Sequence, residues 1–198
     1  HFCDYQIKRF LLQLVRGFSG FQYKTGQRGA IAPQLKVVPV ILAKRSRQAA
    51  AIQTNGSENV VNSIPIITID HTGLRPDPDG LRNPSHTTKT IIRTRKKDAN
   101  GNFTSESGDT VTVERLMPRP FILEAQVDIW TSNMDQKHQL LEQILTVVYP
   151  TFSIQNSDSA IDWSALSEAH VKDVTWTSSS YPIGSDAEIE VANITIEI

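Results

Sequence analysis

The chain predicts an α+β domain: a mostly antiparallel sheet flanked by two main helices, with a long hairpin and extended loops. Three observations carry this expectation. Helical apolar stripes open the chain and recur after residue 132, alternating runs fill much of the remainder, and turn-rich stretches separate them. A length of 198 residues suits one sizeable core. No linker divides it convincingly, so residues 1–198 are expected to form a single domain with 85–120 as a protruding hairpin.

The first helix falls at 4–18, DYQIKRFLLQLVRGF. Ile7, Phe10, Leu11, Leu14, Val15 and Phe18 form one apolar stripe. Asp4 is placed to cap its start, and Gly17 and Gly20 bracket its end. A Gly-containing connector follows; its GxxG lacks the Lys-Ser/Thr of a phosphate loop. LKVVPVILA (35–43) reads as a strand, with Pro39 marking an edge or bulge. KRSRQAAAI (44–52) reads as a short helix. VNSIPIITIDHTG (61–73) is a second strand, leading into the turn-dense LRPDPDGLRNPS.

Residues 85–120 read as a hairpin. TKTIIRTR alternates, Asp98-Ala-Asn100-Gly101 supplies turn chemistry, and TVTVERL returns. Arg93, Arg95, Lys96 and Lys97 gather near the tip as a candidate contact for DNA or an acidic partner. The same charges also suit a solvated edge that resists strand pairing. FILEAQVDIWT (121–131) alternates again, with Leu123, Ala125, Val127 and Ile129 on one face and Glu124, Gln126, Asp128 and Trp130 on the other. A helix follows from about Asn133 to Tyr149, with Ser132 and Asp135 resembling a capping box and Pro150 as its stop. Residues 151–169 read as a mixed loop. HVKDVTWTSSS and EIEVANITIEI close the chain as an antiparallel pair.

Composition excludes several classes. A net charge of −1 gives no global field to attract nucleic acid or an anionic membrane. One cysteine, Cys3, precludes an internal disulfide and a thiolate zinc cluster. No signal-like segment opens the chain, and no stretch nears the roughly 20 apolar residues of a membrane helix, so no membrane partner is expected. The chain starts on His1 and ends within a strand-like run, so further residues are expected at one or both ends.

Catalytic motifs are absent: no GxSxG, HExxH, CxxC, or GxGxxG opening a helix. Asp77-x-Asp79-Gly80 lacks the Glu that would close a calcium loop, which leaves turn formation. Asp135, His138 and Glu142 are the best candidates for chemistry. At about 100° per residue they lie near 0°, 300° and 340°, whereas Met134, Leu141, Ile144, Leu145 and Val148 span about 180° to 280°. The polar three therefore sit on a solvated flank, and no catalytic residue, metal ligand or cofactor is assigned.

RPFILEAQVDIWTSNMDQKHQLLEQILTVVYPTFSI resembles the tail sheath stabiliser, or tail completion, proteins of contractile-tailed bacteriophages. Glu142-Gln143-Ile144-Leu145 and Tyr149-Pro150-Thr151-Phe152 carry the match, and the helix–strand order resembles the family over nearly the whole chain. The resemblance implies a structural virion protein and not an enzyme. It implies a homo-oligomeric ring, a hexamer, at the tail–neck junction, assembled in the host cytoplasm. The ring would cap the tail tube and sheath and dock the neck, with DNA passing through the channel without sequence recognition. A head–neck adaptor or tail-tube terminator ring is the alternative of the same class; a nucleic-acid-binding module using the basic hairpin is the alternative of another. The long basic hairpin around Lys96 departs from the family pattern.

Overall fold

Apolar stripes on two helices need a sheet face to cover, and the alternating strands supply one. The computed structural model describes residues 2–25, 34–54, 64–80, 87–116, 120–155, 166–180 and 188–198. Its elements are α1 (Phe2–Gly17), β1 (Gln22–Thr25), β2 (Gln34–Val37), β3 (Val40–Leu42), α2 (Arg45–Thr54), β4 (Ile66–Pro76), β5 (Thr87–Lys97), β6 (Phe103–Leu116), β7 (Phe121–Thr131), α3 (Met134–Val148), β8 (Thr151–Gln155), β9 (Leu166–Ser180) and β10 (Glu188–Glu197). Contacts group residues 1–74 with 123–198 in one compact unit and 75–122 in a second.

The larger unit is built on a six-stranded sheet ordered β3-β4-β7-β10-β9-β8. The α+β class holds, but the sheet is mixed. β3 runs parallel to β4, with Val40 opposite Ile67 and Leu42 opposite Ile69. The β3–α2–β4 order explains it, because parallel neighbours need a crossover and α2 is that crossover. β10 pairs antiparallel with both β7 and β9.

One face of this sheet holds the main core. Leu11, Leu14 and Phe18 of α1 and its exit, and Leu140, Leu141, Ile144 and Val148 of α3, pack with Ile67, Ile69, Ala125, Val127, Ile129, Ala192, Ile194 and Ile196. The expected α1 stripe is the one that is covered. Asp4 does not cap α1, because the helix already starts at Phe2; it lies in the first turn and pairs with Lys8 at 2.8 Å. The opposite face is covered too. Trp130 packs with Ile66, Ile189 and Val191, with Ala49 of α2 against them. Two helices flanking one sheet is thus too few: α2 serves the second face.

Pro39 acts as a divider. The expected single strand 35–43 is two strands in two sheets, because Pro39 has no N–H to continue a ladder. Val38 N–H bonds Phe21 O at 2.9 Å beside the β1–β2 ribbon, and Ile67 N–H bonds Pro39 O at 2.9 Å on the central sheet. Thr151–Gln155 is strand β8, not loop, and pairs with β9 from Leu166 to His170. Residues 61–63 of the expected second strand, and 156–165, lie outside the described residues.

The smaller unit is chiefly the β5–β6 ribbon. Asp98 organises its turn: Oδ1 accepts from the Asn100 and Asn102 N–H groups, both at 2.9 Å. Gly101 follows with φ at 85°, a left-handed conformation that glycine adopts freely. The register slips between Arg93 and Arg95 and again between Arg95 and Lys97. Gly108 sits at the first slip, where a Cβ would lie 2.7 Å from Thr94 Oγ1 and 3.1 Å from its carbonyl oxygen.

Candidate functional site: partner surfaces

Strand alternation sorts the four basic residues. Arg93, Arg95 and Lys97 share one face of β5, and Lys96 faces the other. Opposite the three stand Thr110, Ser107 and Phe103 in the ribbon register. Lys97 lies over the Phe103 ring at 4.9 Å, and Lys96 pairs with Glu106 at 3.3 Å. Among the described residues no carboxylate pairs Arg93 or Arg95. The four therefore divide between the two faces of the ribbon. Two guanidiniums without a carboxylate partner among the described residues, and one ammonium, line a face with two hydroxyls, an arrangement that suits phosphate or carboxylate oxygens.

On α3, Asp135, His138 and Glu142 are all exposed. Among the described residues no three His, Cys, Asp or Glu side chains gather closely enough to hold a metal ion. The helix cap is shifted by one residue from the expected box. Asn133 is the N-cap, and its Oδ1 accepts the Gln136 N–H at 2.9 Å. Gln136 Oε1 in turn accepts from Ser132 Oγ at 2.9 Å. Asp135 is left as a first-turn carboxylate, favoured there by the helix dipole. Met134, expected on the apolar face, is exposed. His138 stands against the Trp176 ring, centroids 5.2 Å apart. The Asp77–Asp79 segment is a turn, with Asp79 N–H on Asp77 Oδ1 at 3.1 Å.

Sequence reasoning missed a buried ion pair. Lys137 Nζ, 1% exposed, bonds Glu190 Oε2 and lies 5.0 Å from the centre of the Trp176 ring. The signal was available, since Lys137 falls near 200° on the same helical count, inside the apolar sector. A second buried polar group lies on the opposite sheet face. Asp128 accepts from Gln126 Nε2 at 3.0 Å and Asn193 Nδ2 at 2.8 Å. Burial raises its carboxyl above the ordinary range, against the lowering effect of those bonds and of Arg45. Both groups sit within the packed layers, where they position strands and α3 rather than meet a ligand.

Strand edges differ sharply in how they are finished. α3 closes the outer edge of β1: Gln143 Oε1 accepts from Gln22 N–H at 3.3 Å and Gln139 Oε1 from Lys24 N–H at 3.1 Å. Gln143 Nε2 also donates to Gln22 O at 2.8 Å. α1 closes the end of β8, where Gln13 exchanges two bonds with the Gln155 backbone, at 2.8 and 2.9 Å. These amides mimic a missing strand and block stray pairing. β2 has no such cover among the described residues, and all four of its residues are exposed.

Among the described residues, the layered unit thus carries sealed edges at β1 and at the end of β8 and an uncovered edge at β2. No individual curated protein matches the chain. One family does: the description of its model is T4-like virus Myoviridae tail sheath stabiliser, and it matches residues 1–193. With nearly its whole length matched, this chain belongs to the tail sheath stabiliser family, structural proteins of the contractile phage tail.

Proposed function

We propose that the protein forms a homo-oligomeric ring, a hexamer, at the tail–neck junction of the virion. There it caps the upper end of the tail sheath and tube and offers the neck its docking surface, while DNA passes through the central channel. The observation that carries this reading is the family match over residues 1–193. The finished and unfinished strand edges support it, because a subunit that seals some edges and leaves others open is suited to defined, non-isologous contacts. A tail-tube terminator or head–neck adaptor ring remains the alternative of the same class. Negative-stain images of the purified protein decide the architecture: rings with sixfold averages are expected, and a strict monomer at high concentration overturns the reading.

The Arg93, Arg95 and Lys97 face is assigned to a polyanionic neighbour, either the DNA backbone or an acidic surface of another tail protein. The absence of carboxylate partners for Arg93 and Arg95 among the described residues favours this. A contact with DNA phosphates weakens steeply with salt, in proportion to the number of cations engaged. Replacing the three by Ala should abolish retention of duplex DNA at low salt while leaving ring formation intact. Retention equal to the parent protein's would remove the assignment.

A further inference from the structure

We infer that the ring closes by β-augmentation, the open edge of β2 in one copy adding to the open edge of β9 in the next. This rests on the ring reading and names the surfaces that build it. The register of β1 and β2 fixes which groups are free. Gln22 and Lys24 turn their N–H groups away from β2, toward Gln143 and Gln139. Their partners Val37 and Leu35 thus occupy the non-hydrogen-bonded pairs and turn their own N–H and C=O outward on the far side. Leu35 and Val37 are also exposed in their side chains, at 62% and 58%.

The second edge lies where β8 stops short. β8 pairs β9 only from Leu166 to His170, and Val171 N–H still reaches Pro150 O at 3.0 Å. β10 pairs β9 on the other side as far as Ser180. Among the described residues Lys172–Thr177 therefore has a strand neighbour on one side only. The Val174 N–H is held locally by Asp173 Oδ1 at 2.8 Å, a contact that an incoming strand can replace.

The two edges complement each other. A four-residue strand fits the open length of β9 end to end with β8. On the helix side it would set Leu35 or Val37 beside Val174 and the half-exposed Trp176, an aromatic–branched aliphatic pairing that sheets favour. On the other side Lys36 would meet the strand carrying Asp173 and Thr175. Because the edges are different surfaces of one chain, the contact is heterologous, the kind that builds a ring when the rotation from copy to copy closes.

The test uses the full chain with Cys3→Ser, Lys36→Cys and Thr175→Cys, two positions on the same face of the joined sheet, treated with a short bis-maleimide. A ladder of covalent multimers is expected, with neither single-cysteine variant forming one. In parallel, Leu35→Asp with Val37→Asp should raise the midpoint concentration of assembly about tenfold or more, with circular dichroism and melting unchanged. If the parent protein is a ring but no ladder forms and the Asp variant assembles normally, this inference falls while the ring reading stands. Dimers from Lys36→Cys alone would overturn it in favour of a twofold contact. A parent protein that stays monomeric removes both.

Discussion

The central sheet and the β5–β6 ribbon are made of the same alternating strands, yet they end in opposite states. Along β7 and β10, ten apolar side chains from Leu123 to Ile196 are 6% exposed or less. Along β5 and β6, no described side chain is buried, and Ile91 and Phe103 are exposed by 67% and 61%. A two-stranded ribbon without a buried face is marginal by itself. Stability therefore resides in the layered unit, and the exposed faces of the ribbon add little to it.

That contrast is broken most directly at the buried ion pair. Glu190→Ala leaves Lys137 charged in a dry site, and the expected loss is about 3–5 kcal/mol by denaturant unfolding. A loss below about 1 kcal/mol would show that water reaches the pair. Ile144→Ala, a fully buried side chain, should cost about 2–5 kcal/mol through the cavity it leaves.

Smaller effects sharpen the same contrast on the ribbon. Gly108→Ala forces a Cβ against Thr94 and should disorder the ribbon, read as faster amide exchange in β5 and β6, with melting of the layered unit unchanged. Arg93, Arg95 and Lys97 replaced together by Ala should alter unfolding free energy by no more than about 0.5 kcal/mol.

The finest test concerns pH. Burial raises the Asp128 carboxyl above its ordinary 3.8, so the native state binds that proton more tightly than the unfolded chain. Its contribution to stability is full below the unfolded value and is lost as pH rises through the higher folded value. Asp128→Asn keeps an acceptor for Gln126 and Asn193 and should remove this part of the pH dependence, gaining on the parent protein as pH rises. A difference between the two melting curves that is constant with pH would contradict the direction of the shift.

Local patterns made much of the fold legible. The stripe of α1, the alternation of 121–131 and the turn at Asp98 each depend on neighbours a few residues away, and each is found in place. What was missed depends on distant partners. The parallel β3–β4 pairing was implicit in the order strand, short helix, strand, but the strong antiparallel runs masked it. By sequence β8 looks like loop, because its five residues gain strand structure only by pairing with β9. The burial of Lys137 is hidden in the sequence because a lysine is seldom buried without a partner, and Glu190 lies 53 positions away. For the candidate site, charge near the ribbon tip was visible, whereas its division into two faces and the Lys96–Glu106 pairing required the register. The open and sealed edges were invisible, since Gln13, Gln139 and Gln143 look like any exposed amides until their backbone partners are seen.

The measurement closest to the central claim is the mass of the purified full chain in solution by analytical ultracentrifugation across a wide concentration range. A ring subunit should give a discrete species of about six times the 22.1 kDa chain. It should be lost in Leu35→Asp with Val37→Asp. A single 22.1 kDa species at every concentration would contradict it.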